Sequence, residues 1–330
     1  MSVTRTVLIT GGTGFIGSAL ARVALERGWS VHLLGRDFSR VESLLTAGAH
    51  AISCDLRDKT GVTAACAGQD TVFHVGALSA PWGDPSEFYA TNVGGTENIL
   101  AACRAHKIPQ LIHVSSPSVV FTGRDQHNLP DDAFYPKRFA SVYSETKKLA
   151  EDRVNAAFAE GSGLSGVILR PKAVFGPGDT SLLPRLISAA RAGRLPRIGD
   201  GKNVVELTYI DNVVAALFCA ADAPKVALGR TFTITNHEAV PLWEVIAQVL
   251  AGLKIPWQPR TIPLPLALLV AGLMERKAER TGKEPLLTRY TVQLLARTQT
   301  YDTEPARTLL GYTPHVTLSE GIARTIQALA

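Results

Sequence analysis

The chain has 330 residues and a formal net charge of +5, with hydrophobic residues at 46% and charged residues at 19%. This composition is typical of an ordinary globular protein and argues against a disordered or fibrous chain. The basic residues form no run, so nucleic acid binding is not expected, and neither the four cysteines nor the scattered histidines show metal-ligand spacing.

A glycine-rich turn opens the chain. The buried run Thr6–Ile9 leads into Thr10-Gly11-Gly12-Thr13-Gly14-Phe15-Ile16-Gly17. A helix over Phe15–Arg27 and a strand over Ser30–Leu34 are predicted to follow. Glycines at 11, 14 and 17 permit the tight turn, the approach of a pyrophosphate and close packing of the helix. Because free N–H groups at a helix start attract anions, this unit predicts a dinucleotide site.

The first half of the chain continues to alternate β-branched runs with helical runs. Further strands are predicted at Ala51–Ser53, Thr71–Val75, Gln110–Ser115 and Gly166–Arg170, and helices at Pro85–Ala105 and Ser144–Ala159. This alternation predicts an α/β fold, a Rossmann-type doubly wound parallel sheet that binds ligands beyond the carboxyl ends of its strands.

The second half is richer in proline, and its remaining strand signals are Val204–Tyr209 and Arg230–Thr235. We therefore predict a dinucleotide-binding domain over residues 1–176 with about 205–236. A smaller, mostly helical C-terminal substrate lobe is predicted over residues 177–204 and 237–330.

The longest apolar stretch is Ile262–Met274, and the basic residues Arg276, Lys277 and Arg280 follow it. It is shorter than the roughly 20 residues that span a bilayer. We interpret it as a helix over an apolar substrate pocket, with a peripheral membrane contact as the alternative. Because the first strand begins almost at once, no signal peptide is predicted and a cytoplasmic location is expected.

Tyr143 and Lys147 form a Tyr-x-x-x-Lys pattern at the start of the predicted helix Ser144–Ala159, with Tyr143 directly before its first residue. Residues four apart share one helix face, so both side chains can point into one cleft. A nearby positive charge favours the phenolate and lowers the pKa of a tyrosine. Tyr143 can then exchange a proton with a substrate oxygen near neutral pH.

A hydroxyl partner is expected at the end of the fifth strand, where Ser115, Ser116 and Ser118 are candidates. Its role would be to donate a hydrogen bond to the substrate oxygen as negative charge develops. A turn or cap role is the alternative for each of these serines.

The order and spacing of these segments resemble the extended short-chain dehydrogenase/reductase family. Further matching segments are Asp55-Leu56, His74-Val75-Gly76-Ala77, Asn92-Val93-Gly94-Gly95-Thr96 and Tyr209-Ile210-Asp211-Asn212-Val213. The resemblance implies that Ser116, Tyr143 and Lys147 are catalytic, with Ser116 as the second serine of the family's Ser-Ser pair. It implies cofactor contacts at Gly11, Gly14, Phe15, Ile16, Gly17, Arg36, Asp55, Leu56, Gly76, Ala77, Tyr143, Lys147, Pro171 and Val174.

The end of the second strand indicates which cofactor is used. In the family an acidic residue there binds the ribose 2′-hydroxyl of NAD, but this chain has Gly35 followed by Arg36. Arginine offers a bidentate partner for a 2′-phosphate, so NADP(H) is favoured over NAD(H). The neighbouring Asp37 is the alternative ribose partner.

The loop after the sixth strand separates two branches of the family. Sugar-nucleotide epimerases usually carry an asparagine there, whereas residues 169–179 contain none. The Arg170-Pro171 pair and the Gly176-Pro177-Gly178-Asp179 segment resemble the 3β-hydroxysteroid dehydrogenase branch. Ala80-Pro81-Trp82-Gly83 resembles that branch's bacterial 2-alkyl-3-oxoalkanoate reductases.

The resemblance thus implies an NADP-dependent oxidoreductase that interconverts a ketone and a secondary alcohol. Its substrate would be a small molecule with bulky hydrophobic groups. A nucleotide-sugar epimerase or dehydratase and a non-catalytic NADP-binding sensor are the alternatives. Family members often pair through two helices per subunit, so a homodimer through Pro85–Ala105 and Ser144–Ala159 is implied as well.

Overall fold

A computed structural model of the protein describes residues 5–159 and 163–330. Its centre is a seven-stranded parallel sheet with the order β7-β6-β5-β4-β1-β2-β3. These strands are β1 (Thr6–Thr10), β2 (Ser30–Gly35), β3 (His50–Ser53), β4 (Thr71–His74), β5 (Gln110–Val114), β6 (Ser165–Pro171) and β7 (Thr231–Ile234). Because the strand order reverses beside β1, a ligand crevice is expected at the carboxyl ends of β1 and β4.

The α-helices of the described residues flank this sheet or follow it. They are α1 (Phe15–Glu26), α2 (Glu42–Thr46), α3 (Lys59–Ala65), α4 (Pro85–Phe88), α5 (Gly95–His106), α6 (Val142–Ala159), α7 (Leu182–Arg191), α8 (Ile210–Ala221), α9 (Leu242–Gly252), α10 (Leu264–Thr281), α11 (Arg289–Ala296), α12 (Glu304–Thr308) and α13 (Leu318–Leu329).

Both faces of the sheet are covered by apolar side chains. Along β1, Val7 and Ile9 pack with α1 and α8, whereas Leu8 points to the opposite face and packs with α5. This alternation follows from the two-residue period of a strand, and burial on both faces explains the nearly continuous apolar runs. The predicted doubly wound α/β fold is confirmed, and its predicted main-sheet strands agree within one residue at either end.

Two predicted elements are wrong in detail. The helix predicted over Pro85–Ala105 is interrupted by a π-helical segment, Tyr89–Gly94. Within it the Asn92 side chain bonds the backbone of Leu78. The strand predicted over Val204–Tyr209 divides into Val204–Glu206 and Thr208–Tyr209, which belong to different sheets. Apolar periodicity reports neither change, because a wider helical turn and a break at one residue leave the pattern nearly intact.

The second half of the chain builds its own apolar cluster, which includes Phe175, Ile187, Val205, Trp243 and Val292. A four-stranded sheet lies with it, in the order Ala239–Pro241, Val204–Glu206, Gln299–Tyr301, Gln126–Leu129. Two short parallel pairs complete the strands, Val174–Phe175 with Thr208–Tyr209 and Arg197–Ile198 with Thr261–Ile262. The predicted lobe boundaries stay a prediction.

Helix α10 contains most of the apolar stretch predicted to cover a pocket. Ala267 and Ala271 are buried in the second cluster, whereas Leu266, Leu269 and Leu273 are exposed. Among the helices of the described residues, none is long and apolar enough to cross a membrane. The peripheral membrane contact stays a prediction.

Candidate active site

The glycine-rich turn lies against the end of β4. Gly11 has a φ of 64°, and a Cβ placed on it would lie 2.7 Å from the Cα of Gly76. A Cβ on Gly17 would collide with the carbonyl oxygen of Gly11. Gly14 is the N-cap of α1, and no described side chain caps that helix start. The geometry fits a pyrophosphate held by backbone N–H groups, with Phe15 and Ile16 in the first helical turn.

The other predicted cofactor contacts lie along the same sheet edge. Leu56 packs against Gly76, because a Cβ on that glycine would lie 3.0 Å from Leu56 Cδ1, and Ala77 follows directly. Pro171 ends β6, and Val174 pairs with Thr208 just beyond it. The structure therefore brings all of these positions to the carboxyl ends of the strands.

At the end of β2, Gly35 leaves room for the turn, since a Cβ there would lie 2.8 Å from Thr13 Cγ2. Arg36 is 75% exposed, and its Nη1 lies 3.7 Å from Asp55 Oδ2. The hydrogen bond from Arg57 is the main cause that lowers the pKa of Asp55. Asp37 accepts the backbone N–H of Ser39 at 3.0 Å. Of the side chains of Arg36, Asp37 and Asp55, that of Arg36 makes the longest polar contact.

Tyr143 lies in the first turn of α6, and its hydroxyl lies near the hydroxyls of Ser79 and Ser116. Burial raises the pKa of Tyr143 above its usual value, and the interactions with these two hydroxyls oppose that effect. The sequence predicted a lowered pKa through Lys147. That expectation is wrong for this geometry, in which desolvation of the phenol is the largest effect.

Lys147 is buried one turn further along α6 and points at the end of β5. Its Nζ donates to the carbonyl oxygen of Val114 at 2.8 Å and lies 3.4 Å from His113 Nε2. Burial lowers the pKa of Lys147 to about 8, and the carboxylate of Glu151 opposes that effect. Glu151 is held by Arg170 through two hydrogen bonds, at 2.8 and 2.7 Å.

The three candidate serines lie in different places. Ser116 is beside Tyr143, and its Oγ also accepts the backbone N–H of Ser118 at 3.2 Å. Ser115 is buried, and its backbone N–H extends the ladder to Leu169. Ser118 lies near Tyr290, and its buried hydroxyl has no hydrogen-bond partner among the described residues. Of the three, only Ser116 contacts the Tyr143 hydroxyl in the part of the chain that the structure describes.

The segments that matched the family form a buried polar network behind Tyr143. His74 Nδ1 lies 2.8 Å from Thr10 Oγ1, and its Nε2 lies 2.9 Å from Thr96 Oγ1. Asn92 reaches Thr146 on α6 at 3.0 Å. Burial lowers the pKa of His74 to about 3, so the ring is neutral at physiological pH. The network fixes α5 and α6 against the end of the sheet.

Three polar residues at this edge carried no role in the sequence analysis. Ser79 follows β4 and interacts with Tyr143, and Tyr290 on α11 lies near Tyr143, Ser118 and Ser144. Burial raises the pKa of Tyr290. The third residue, Lys172, follows β6 directly and is buried. For Ser79 and Lys172, the only signal in the sequence was that each residue follows the end of a predicted strand. Tyr290 carried no such signal.

An apolar cavity of about 120 Å³ lies beside this edge. Side chains from α7, α9 and α11 line it together with Phe175, and Lys172 is the one charged side chain among its lining residues. Residues 262–274, which were predicted to line such a pocket, do not contribute to it. Their inner face packs into the second cluster instead. Among the described residues, no group of three or more His, Cys, Asp or Glu side chains could hold a metal ion.

Comparisons with known proteins agree with this geometry. Residues 8–266 match the model of the 3-beta hydroxysteroid dehydrogenase/isomerase family. The chain is 41% identical to 2-alkyl-3-oxoalkanoate reductase of Stenotrophomonas maltophilia, covering 96% of this chain and 97% of that protein. It is 34% identical to the decarboxylating sterol-4-alpha-carboxylate 3-dehydrogenase of Mus musculus, covering 97% of this chain and 90% of that protein.

Solved structures share the fold. The crystal structure of gox2253 superposes with a TM-score of 0.80 at 24% identity, covering 99% of this chain and 98% of that chain. MoeE5 in complex with UDP-glucuronic acid and NAD gives a TM-score of 0.75 at 26% identity, covering 98% of each chain.

Proposed function

The chain belongs to the 3-beta hydroxysteroid dehydrogenase/isomerase family and is an NAD(P)-dependent oxidoreductase, and we propose that it interconverts a ketone and a secondary alcohol on a bulky hydrophobic substrate. Reduction is the favoured direction if NADPH is the cofactor. The observation that carries the proposal is the hydroxyl cluster in which Tyr143 lies near Ser116 and Ser79. An apolar cavity at the same edge of the sheet, where Lys172 and Ala173 follow β6, suits a substrate with large alkyl or ring groups.

The chemistry follows from the hydroxyl cluster. When bound at the glycine-rich turn, a nicotinamide cofactor would supply the hydride for the carbonyl carbon. Tyr143 donates its proton to the substrate oxygen as negative charge develops there. Ser116 and Ser79 donate hydrogen bonds to the same oxygen, which stabilises that charge. Lys147, whose Nζ donates to the Val114 carbonyl, would hold the cofactor ribose.

Two relatives narrow the substrate class. The names 2-alkyl-3-oxoalkanoate reductase and sterol-4-alpha-carboxylate 3-dehydrogenase both describe a carboxylate on the carbon next to the reacting carbon. We therefore propose a 2-alkyl-3-keto acid or a 3-ketosteroid as the substrate of this chain.

The test is a screen of NADPH oxidation with the purified protein against 2-alkyl-3-keto acids, 3-ketosteroids and aromatic ketones. Turnover of at least one hydrophobic ketone is expected. A thermal shift with UDP-sugars, together with no ketone turnover, would replace the proposal with the epimerase alternative. Binding of NADPH without turnover of any probe would favour a non-catalytic sensor.

We further propose that NADP(H) is preferred over NAD(H), because Gly35 places no carboxylate at the ribose and Arg36 is free to turn toward a 2′-phosphate. Arg36→Ala is expected to lower kcat/KM for NADPH about tenfold and to leave NADH nearly unchanged. Arg230→Ala, at an exposed arginine that bonds only locally to Val226, is the control. An equal loss with both cofactors would exclude phosphate recognition by Arg36.

A homodimer is proposed as well. Helices α5 and α6 lie side by side, joined by an exposed ion pair of 2.7 Å between Arg153 and Glu97. Two such pairs of helices from two subunits would form a four-helix interface. Light scattering in solution measures the mass, and a monomer at micromolar concentration would contradict the proposal.

A further inference from the structure

Lys172 lies where the end of β6 meets the apolar cavity. Its backbone N–H donates to Ile234 on β7 at 2.9 Å, which fixes the start of the loop. Ala173 follows with a φ of 42°, a left-handed conformation that is uncommon for a residue with a Cβ. The turn thus directs the chain so that the Lys172 side chain reaches the cavity lining.

The reacting hydroxyls lie on the neighbouring strand. Val114 of β5 pairs with Leu169 of β6, so that Ser116 follows β5 at the level where Pro171 ends β6. Adjacent strands are about 4.8 Å apart. Ser116 and Lys172 therefore follow the carboxyl ends of two neighbouring strands at about the same level.

Helix α11 links the hydroxyl cluster to the cavity. Tyr290 lies near Ser118, Ser144 and Tyr143, and Leu294, one turn later on the same face, lines the cavity. One face of this helix therefore borders the hydroxyl cluster at its start and the cavity one turn later.

The ammonium group of Lys172 has few partners in this position. Its Nζ donates to Gln299 Oε1 at 2.6 Å and lies 5.8 Å from the centre of the Tyr301 ring. Glu206 interacts with it electrostatically, but among the described residues no carboxylate oxygen lies within 4.0 Å of Lys172 Nζ as an ion pair. An ammonium has three donors, so two remain for another acceptor.

An unpaired cation beside an apolar cavity is costly, and an anionic ligand would offset that cost. Of the charged side chains, Lys172 alone is among the residues that line the cavity. Glu206 interacts with the Tyr301 backbone and the Thr235 hydroxyl as well as with Lys172, and it forms no ion pair with Lys172 among the described residues.

We propose that Lys172, supported by Gln299, is the carboxylate-binding subsite of the substrate pocket. It binds the carboxylate of a 2-alkyl-3-keto acid or of its 3-hydroxy product, while the alkyl groups occupy the cavity. This subsite rests on the proposed ketone-reducing function. It adds a charged recognition element that distinguishes an acid from a neutral ketone of the same shape.

The test compares two matched ligands by calorimetry on the full chain in the presence of NADPH, with which a 3-hydroxy ligand cannot react. The probe is a 2-alkyl-3-hydroxyalkanoate with an octyl branch, and the control ligand is its carboxamide, which has the same shape without the charge. The wild-type protein is expected to bind the acid more tightly. Lys172→Met is expected to weaken binding of the acid by about 10- to 100-fold and of the amide by less than about threefold.

Lys172→Arg keeps the charge and is expected to retain the preference for the acid, and Gln299→Leu is expected to reduce it only in part. If Lys172→Met fails to fold, these two variants and the wild-type preference decide the question. Equal losses for acid and amide would show a packing role and overturn the proposal, and so would a wild-type protein without preference. Turnover of neutral ketones with no preference for acids would overturn the subsite and leave the oxidoreductase function standing.

Discussion

Two buried lysines lie at neighbouring strand ends, and the difference between their surroundings separates two kinds of site. Burial lowers the pKa of both Lys147 and Lys172 to about 8. Lys147 is held by a backbone carbonyl inside a polar network, whereas Lys172 is held by one amide side chain at the border of an apolar cavity. Both lysines are therefore similarly desolvated, but their surroundings differ. We call the polar network around Lys147 the closed region and the border of the cavity around Lys172 the open region.

The glutamate that interacts with each lysine shows the same contrast. Glu151 accepts two hydrogen bonds from Arg170 and one from Tyr135, at 2.8 Å, so both of its oxygens are paired. Glu206 has one buried oxygen, Oε2, without a hydrogen-bond partner. A closed network fixes geometry for chemistry, and an open one leaves capacity for a ligand.

The largest expected effect tests the closed region. Tyr143→Phe removes the proposed proton donor and is expected to lower kcat about 1000-fold. The Kd for NADPH should change little, because the hydroxyl and not the ring carries the chemistry. Steady-state kinetics and a fluorescence titration of NADPH measure the two quantities.

Tyr290→Phe is the comparison variant for this prediction, since it removes a neighbouring phenol that is not the proposed donor. Its loss in kcat is expected to be much smaller. Near-normal turnover of Tyr143→Phe, or an equal loss in the two variants, would contradict the assignment of proton transfer to Tyr143.

The next effect separates the two lysines directly. Lys147→Met is expected to lower kcat/KM about 100-fold for acidic and neutral ketones alike, because Lys147 acts on the cofactor and not on the carboxylate. The ratio of acid to neutral substrate should stay at its wild-type value, whereas Lys172→Met should change that ratio. The comparison fails if Lys147→Met alters the preference for the acid.

The sequence alone predicts the closed region better than the open one. The glycine-rich turn, the order of strands and helices, and the shared helix face of Tyr143 and Lys147 all follow from short-range spacing. Three serines within four residues of one another could not be separated in that way, because the pleat of β5 and the turn after it decide which hydroxyl meets Tyr143.

The open region depends on contacts between distant parts of the chain. Lys172 meets Gln299 across 127 positions, and Tyr290 reaches Tyr143 from a helix in the second half. No local period encodes such pairs. The direction of the Tyr143 pKa shift was also mispredicted for this reason, because burial depends on the packed structure and not on the spacing to Lys147.

A change in stability provides the third prediction. Glu151→Gln removes the charge that pairs with the buried Arg170 and leaves its guanidinium without a full partner. We expect the free energy of unfolding to fall by about 3 kcal/mol. Denaturant titration measures it, with Glu320→Gln, at an exposed ion pair, as the control. A loss no larger than that of the control would contradict the closed description of this region.

The same substitution in the open region is expected to have the opposite sign. Burial raises the pKa of Glu206 from its usual value of 4.5 to about 7. A folded-state pKa above the unfolded one means that the protonated form is favoured by folding, so stability is lost as the pH rises from 4.5 through 7. Glu206→Gln mimics the protonated form, removes the buried charge, and leaves Lys172 with less compensation. We therefore expect the free energy of unfolding to rise by only about 1–2 kcal/mol above neutral pH, with no difference near about pH 4.

Denaturant titrations of the wild-type protein and Glu206→Gln across this pH range measure the difference. A loss of stability at neutral pH would mean that Glu206 and Lys172 form an ion pair, as in the closed region.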